Sequence, residues 1–197
     1  SKEKMDEKLA KLLSPLVENS QLKARIIVGS PDPHGPLKAR ARDGHYATEL
    51  SLFLGKYCNM PQEFSVKLDV DVSNFKKSMI VVGGPVTNLI AKRINDVLPV
   101  RFLEKKPFGI TSTRTKKEYQ DDSIGMICKI INPESPEHSI LIFAGITNIG
   151  TKSAVIAFTR HHHSLLQTYT GQKAWYRIVQ GFDLDGDGKI DSIELLE

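Results

Sequence analysis

One pattern recurs along the sequence: a short apolar run, a turn that contains glycine, and an amphipathic segment with helical spacing. Parallel strands need long, usually helical, crossover connections, so this alternation is typical of a parallel sheet with helices on its faces. The runs are apolar at nearly every position, as in strands covered on both sides. We therefore predict an α/β fold of three layers, a mostly parallel sheet with helices on both faces. The predicted strands are 25–29, 66–70, 79–82 and 140–144, and the predicted helices are 44–58, 86–97 and 151–169.

Two further segments predict antiparallel hairpins beside the parallel strands. Residues 108–133 contain two apolar runs around a polar tip at 115–122, with 125–131 as the return strand. Residues 175–196 contain two more runs around an acidic loop.

Residues 1–20 are predicted to form an N-terminal helix or linker, and residues 21–197 a single α/β domain. The length of 197 residues and the apolar content of 40% suit one domain that needs no disulfides. Apolar residues of 4–18 share one helical face, and Pro15 is expected to end or kink this helix. The helix could pack on the domain, connect to a missing upstream segment, or support self-association.

The composition argues against several classes of protein. The net charge of +4 is modest, and the basic segment 114–117 lacks interleaved aromatic residues, so there is no strong nucleic-acid signal. No apolar run approaches the ~20 residues of a membrane span. The charged N-terminus is unlike a signal peptide, but a chain that begins with Ser1 can be a fragment, so a cytoplasmic and a cell-surface location both stay open.

Cys58 and Cys128 are predicted as buried free thiols, with one long-range bridge as the alternative.

Residues 183–194 match the twelve-residue calcium-loop pattern. Acidic side chains occupy the positions that bind the ion, glycine stands where the chain turns sharply, and the next residue offers a backbone carbonyl. Hard oxygen ligands at this density suit Ca²⁺ in a structural role. The predicted ligands are Asp183, Asp185, Asp187, Lys189, Asp191 and Glu194.

The flanks of this loop differ from a helix-loop-helix motif. Residues 175–179 favour a strand, and the segment that follows Glu194 is too short to form an exiting helix. We therefore predict a C-terminal strand-loop-strand calcium loop in which Glu194 lacks the helix that would bring it to the ion. An Asp-Gly hairpin turn without an ion is the alternative.

Three polar turns that contain glycine follow strands of the predicted sheet. The carboxyl ends of parallel strands meet at one edge, where ligands bind and where helix N-termini offer unpaired N–H groups to an anion. We predict a crevice at this edge that binds a small anionic ligand without turnover, with ordinary helix caps and tight connections as the alternative. The predicted lining residues are Ser30, Gly83, Gly84, Asn88, Asn148, Gly150 and Thr151.

Known nucleotide-binding motifs are not matched. Thr151 precedes Lys152 after the third turn, which reverses the lysine and hydroxyl of a phosphate-binding loop. None of the turns contains G-x-G-x-x-G, so a dinucleotide fingerprint is absent as well.

The histidines give weaker signals. His34 and His45 could form an acid/base group with Asp32, but no nucleophile is spaced to support catalysis. Residues 161–163 are three consecutive histidines inside the third predicted long helix. Because neighbours on a helix diverge by about 100°, the three are not expected to share one ion, and we interpret them as a solvated helix face.

Residues 80–88, Ile-Val-Val-Gly-Gly-Pro-Val-Thr-Asn, resemble the strand and GGP-x-x-N turn of the C-terminal domain of archaeal surface-layer (S-layer) proteins. Residues 144–154 are similar to the later glycine turn of that family, where Gly-Thr opens a helix. The resemblance covers residues 78–155 and implies a non-enzymatic domain with a structural or binding role. The sequence departs from a mature surface protein in showing no signal or anchor, and related domains could equally be sensor modules of cytoplasmic regulators.

Two classes of function follow from these observations. The leading hypothesis is a non-enzymatic calcium-binding α/β domain with a structural or ligand-sensing role. The alternative is an enzyme that acts on a small anionic or phosphate-bearing substrate at the glycine-turn cleft.

Overall fold

The computed structural model describes residues 1–183 and 186–197. The helices are α1 Glu7–Leu13, α2 Tyr46–Gly55, α3 Leu89–Ile94 and α4 Asn148–Leu165. The strands are β1 Val17–Glu18, β2 Gln21–Leu22, β3 Arg25–Val28, β4 Val66–Leu68, β5 Met79–Val82, β6 Val100–Leu103, β7 Gly109–Ser112, β8 Glu118–Tyr119, β9 Ile124–Ile131, β10 Ser139–Gly145, β11 Trp175–Phe182 and β12 Ser192–Leu195.

A large mixed sheet organises the fold, with the strand order β12-β11-β9-β10-β5-β3-β4. The neighbours β10, β5, β3 and β4 are parallel, which confirms the four strands predicted to lie together. The neighbours β10, β9, β11 and β12 are antiparallel. The sheet is therefore mixed rather than mostly parallel, because its second half is built from strands that the sequence had assigned to hairpins.

The prediction of one hairpin over residues 108–133 is wrong. Strands β7 and β8 pair with each other and with β6 in a separate three-stranded sheet, whereas β9 lies between β10 and β11 in the large sheet. Seven of the eight residues of β9 are buried, including Lys129. A strand apolar on both sides needs cover on both faces, and the large sheet provides it.

Alternate residues of the central strands enter two different clusters of buried side chains, as expected for a period of two. Ile80 and Val82 share one cluster with residues of α1, α2 and α4. Met79 and Val81 share the other with residues of α3 and the small sheet. Cys58 and Cys128 belong to different clusters and are free, which confirms the prediction of two buried thiols.

The helices begin at capping residues that fix their starts. The Asn88 side chain accepts the backbone N–H groups of Ile90 and Ala91, so α3 begins at Leu89 and is shorter than predicted. Thr147 caps α4 in the same way, which places the helix start three residues before the predicted one. Near its other end, α4 is interrupted at His161, where φ is −132° and ψ is 26°.

Helix α1 packs on the large sheet through a row of leucines. Leu9, Leu12, Leu13 and Leu16 are fully buried in the same cluster as α2 and α4. The Lys129 ammonium donates to the carbonyl oxygens of Lys11 and Ser14, at 3.2 and 2.6 Å, and satisfies acceptors that the end of a helix leaves open. Among the described residues, no helix combines the length and the apolar character needed to cross a membrane.

Candidate functional site

Three turns leave the large sheet at the same level. Val28, Val82 and Phe143 are register partners in the neighbouring parallel strands β3, β5 and β10. The chain therefore leaves these strands at one edge, as the topological argument required. The turns after β5 and β10 face the ends of β6 and β7 across a cavity of about 200 Å³.

The walls of this cavity are mainly apolar, with a few polar groups. Phe102 and Phe108 come from the small sheet and its connection, and Ile146 comes from the turn after β10. Polar side chains enter from the segment before α2 and from the rims of the other turns. They are Arg40, Arg42, Asp43, Thr87, Glu104, Thr147 and Asn148. An apolar pocket with a few convergent polar groups is the usual form of a small-molecule site.

Asp43 is the most unusual of these groups. It is only 4% exposed, and its Oδ1 has no hydrogen-bond partner among the described residues. Its Oδ2 lies 3.4 Å from the Thr151 hydroxyl. Burial raises the pKa of the Asp43 carboxyl, and its hydrogen bonds and the charge of His45 oppose this increase only in part. A buried carboxyl that lacks a partner costs free energy unless a ligand supplies one.

Gly83 allows this carboxyl to approach the end of β5. Its φ of +119° lies in a region that side chains rarely adopt, and a Cβ there would lie 3.0 Å from Asp43 Oδ2. Any other residue at position 83 would therefore press on the Asp43 side chain. Gly83 therefore makes room for the Asp43 side chain, whether or not a ligand binds at this turn.

Arg40 and Arg42 place two cations at the mouth of the cavity. Both side chains are exposed, and within residues 1–183 and 186–197 neither forms an ion pair. Guanidinium groups bind carboxylate and phosphate with two parallel hydrogen bonds. This pair supplies the positive charge that an anionic ligand needs.

The long segment that carries these residues is fixed by a buried contact between His34 and Asp69. His34 Nε2 lies 2.8 Å from Asp69 Oδ2 and 2.8 Å from the carbonyl oxygen of Thr87. Asp69 also accepts the backbone N–H groups of Ser30 and Leu89, at 2.9 and 2.8 Å. Since His34 and Asp32 do not line the cavity described above, their interpretation as an acid/base group there gains no support.

The predicted ligand residues divide between the cavity and its surroundings. Gly84 and Asn148 line the cavity. Gly83 and Thr151 do not line it but lie next to the Asp43 carboxyl. The other three have roles in the fold: the Ser30 N–H binds Asp69, Asn88 caps α3, and Gly150 packs against the backbone of Ile124 and Gly145. The sequence thus located the edge, but it missed Arg40, Arg42 and Asp43, whose only signal was a basic stretch ending in an acid before a helix.

Strands β11 and β12 are antiparallel partners, with Phe182 opposite Ser192, and the described residues of the acidic segment up to Asp191 lie between them. Asp183 accepts the N–H groups of Gly186 and Gly188, at 2.8 and 2.7 Å. Gly188 has a φ of +84°, the left-handed conformation expected for the sharp turn of a calcium loop.

The other predicted ligands of this loop differ in position. Asp187 Oδ1 accepts the N–H of Lys189 at 2.9 Å, and Asp191 donates its N–H to the Phe182 carbonyl. Glu194 stands inside β12 opposite Gln180, on the strand rather than in the loop. Asp185, also a predicted ligand, lies outside the described residues.

Comparison with known proteins finds a similarity over part of the chain. The chain matches no protein-family model. It is 32% identical over 85 residues to the uncharacterized protein MJ0954 of Methanocaldococcus jannaschii. The match covers 43% of this chain and 17% of that protein, so it spans less than a fifth of the relative.

Proposed function

We propose that this chain is a non-enzymatic binding domain that takes a small anionic ligand in the cavity at the carboxyl edge of the large sheet. The observation that carries the proposal is the buried Asp43 carboxyl, which lines this cavity and whose Oδ1 has no hydrogen-bond partner among the described residues. The two arginines at the mouth supply the complementary charge. Helix α4, whose N-terminus forms part of the rim, adds a favourable field of about 0.3–1 kcal/mol for an anion.

The same groups define the chemistry of the ligand. An acidic group binds Arg40 and Arg42, and a hydroxyl or amine next to it donates to Asp43 Oδ1. Phe102 and Phe108 exclude water from the body of the ligand. A cavity of about 200 Å³ limits this ligand to a compact molecule such as a short hydroxy acid or a small sugar phosphate.

Matched pairs of probes test this proposal by calorimetry and thermal shift. Glycolate and glycerol phosphate carry the extra hydroxyl, and acetate and ethyl phosphate lack it. We expect the hydroxyl to improve affinity about tenfold or more, as for a hydrogen bond to a charged group. The variant Asp43→Asn should reduce that preference, and the double variant Arg40→Ala, Arg42→Ala should abolish binding.

Arg160→Ala is the matched control, because Arg160 is exposed on α4 away from the residues that line the cavity. It should bind all four probes like the wild type. If no probe shifts the melting temperature of the wild type, or if Arg160→Ala weakens binding as much as the double variant, the cavity is not the binding site.

We also propose that the loop 183–194 binds Ca²⁺ and stabilises the C-terminal hairpin. The oxygen-rich sequence pattern and the left-handed Gly188 support this assignment. At a hundredfold excess over the dissociation constant, Ca²⁺ should add about 2.7 kcal/mol to the free energy of unfolding. Calorimetric titration with Ca²⁺ compares the wild type with the double variant Asp185→Ala, Asp187→Ala. Asp122→Ala is a control outside the loop. Absence of both heat and melting shift in the wild type would contradict calcium binding.

The wider role proposed for the domain is structural or ligand-sensing, as in archaeal surface-layer proteins. The Gly83-Gly84-Pro85 turn and the glycine turn before α4 support this role. The two clusters of buried side chains support a three-layer arrangement of helices and sheet. A structural role predicts self-association in the presence of Ca²⁺, which sedimentation velocity detects. A chain that stays monomeric at every Ca²⁺ concentration would leave ligand sensing as the proposed role.

One observation favours the second candidate, an enzyme at the same cavity. A buried carboxyl with a raised pKa is suited to general acid/base catalysis. Slow hydrolysis of a phosphate ester by the wild type, lost in Asp43→Asn while the ester still binds, would favour the enzyme. Binding without turnover favours the sensing domain.

A further inference from the structure

Two of the three consecutive histidines come together just after the point where α4 is interrupted at His161. In a regular helix their side chains would diverge by about 100°. At His161 the backbone leaves the helical region, with φ −132° and ψ 26°. After this interruption, the rings of His162 and His163 lie with centroids 4.4 Å apart and planes tilted by 33°.

Asp6 completes this cluster from the other helix. Its Oδ1 caps α1 by accepting the Leu9 N–H at 2.8 Å. Its Oδ2 lies 3.9 Å from His162 Nε2 and 3.5 Å from His163 Nδ1. The N-cap hydrogen bond therefore fixes Asp6 Oδ1, while Asp6 Oδ2 lies near both imidazole rings.

The surroundings hold this arrangement in place. The Phe53 ring meets the His162 ring edge-on, with centroids 5.3 Å apart, and the His162 side chain is only 12% exposed. His163 is 80% exposed, so solvent reaches the cluster from one side. Asp6 is held by the burial of Leu9 in the core.

Three donor atoms that lie within 4.8 Å of one another match the ligand set of a transition metal. Zn²⁺ binds imidazole nitrogen and carboxylate oxygen at about 2.0–2.2 Å, and often keeps a water at its fourth position. Small side-chain rotations would bring the three donors to those distances. The imidazole ligands give this cluster a different metal preference from the acidic loop, whose oxygen ligands suit Ca²⁺.

We propose that Asp6, His162 and His163 form a binding site for a divalent transition metal ion such as Zn²⁺, which links α1 to the end of α4. Water fills the open position on the exposed side. Because two helices contribute ligands, the bound ion should stabilise their contact.

Titration with Zn²⁺, and with Co²⁺ as a spectroscopic probe, tests this site in the full chain with Ca²⁺ present in excess. We expect one ion per chain at this site and a higher melting temperature. His163→Gln and Asp6→Asn should each weaken binding by about tenfold or more. Asn is as good an N-cap as Asp, so Asp6→Asn removes the ligand charge while α1 keeps its cap.

His161→Gln is the matched control, because His161 is the adjacent histidine and stands outside the cluster. It should leave the affinity unchanged. If His161→Gln weakens binding as much as His163→Gln, or if Asp6→Asn has no effect, the ion binds only to a flexible run of histidines and the proposed site does not exist. His163→Gln changes an exposed side chain and should fold normally, so its result stays interpretable even if Asp6→Asn loses stability.

Discussion

His34 is held by oxygen atoms on both sides of its ring. Nδ1 lies 2.8 Å from the Asp32 carbonyl oxygen, and Nε2 lies 2.8 Å from the Thr87 carbonyl oxygen. Carbonyl oxygens only accept hydrogen bonds, so both nitrogens donate and the ring carries a positive charge beside Asp69. Burial lowers the pKa of His34, but the hydrogen bond to Asp32, the charge of Asp69 and the bond to Thr87 outweigh it and raise the pKa above 6.5.

This raised pKa predicts a stability that falls with increasing pH. Below pH 6.5 the ring is protonated in both the folded and the unfolded chain, so its full contribution is present. As the pH rises through the higher pKa of the folded state, the ring loses its proton and the contribution is lost. Denaturant unfolding at pH 5.5 and 8.5 measures the difference. At the lower pH, His34→Gln should cost about 1.5–3 kcal/mol.

The His34→Gln variant should also lose that part of the pH dependence, whereas His161→Gln, which changes an exposed histidine, should keep it. Equal pH dependence in the wild type and in His34→Gln would contradict the assignment. The same contact holds the segment 29–45 beside the cavity, so this variant should also weaken ligand binding.

Individual cavity residues could be predicted only where they follow a strand directly. Gly84 and Asn148 do so, and the parallel sheet fixes their position. Arg40, Arg42 and Asp43 reach the same edge through a long irregular segment, whose path depends on the buried contact of His34. No periodic sequence pattern reveals such a contact, so the edge of the sheet could be predicted but the buried Asp43 carboxyl could not.

At the scale of elements, one carboxylate joins the small sheet to the large one. Glu197 Oε1 accepts the hydroxyls of Ser112 and Tyr176, both at 2.6 Å. Its Oε2 accepts the hydroxyls of Thr115 and Tyr119, at 3.0 and 2.9 Å. Burial raises the pKa of Glu197, but these hydrogen bonds outweigh it and lower the pKa below its usual value. Burial, with the neighbouring carboxylate, raises the pKa of Tyr119 to about 12.

Glu197→Gln should therefore weaken the contact between the two sheets without changing the shape of the side chain. The amide NH₂ cannot accept the hydroxyl protons that one carboxylate oxygen accepts, so two hydroxyls must reorient and lose a charged acceptor, which we expect to cost about 1.5–3 kcal/mol. The wild-type contribution is present above the unfolded pKa and is lost as the pH falls through the lower folded pKa, so the difference should shrink in acid. Denaturant unfolding between pH 3 and 7 checks this, and Glu118→Gln on the exposed face of β8 should show no such change.

The elements themselves were predictable to different degrees for physical reasons. The strands β3, β5 and β10 each begin a strand-turn-helix unit, so their local pattern already implies their neighbours. Strand β9 carries the same apolar pattern, but it pairs with β10, the next strand, and with β11, which is distant in sequence, instead of with β7. The cluster of Asp6, His162 and His163 could not be predicted, because Asp6 lies far from the two histidines in the sequence and no local pattern joins them.

At the scale of the whole molecule, the question is whether residues 1–20 belong to the same folding unit as residues 21–197. Four leucines between Leu9 and Leu16 are fully buried in the cluster that also contains Trp175 of β11. Lys129 in the middle of β9 donates to two carbonyl oxygens at the end of α1. Burial lowers the pKa of Lys129 to about 8.

Leu12→Ala tests this cooperativity, because Leu12 belongs to α1 and the single tryptophan reports on the sheet. Removing a buried leucine side chain should cost about 2–5 kcal/mol. If α1 and the sheet unfold together, the Trp175 fluorescence transition should move to lower denaturant by the full amount. Leu52→Ala is the matched control, because Leu52 is 67% exposed on α2 and should change little. A tryptophan transition that Leu12→Ala leaves in place would mean that α1 unfolds separately and that residues 1–20 act as a linker.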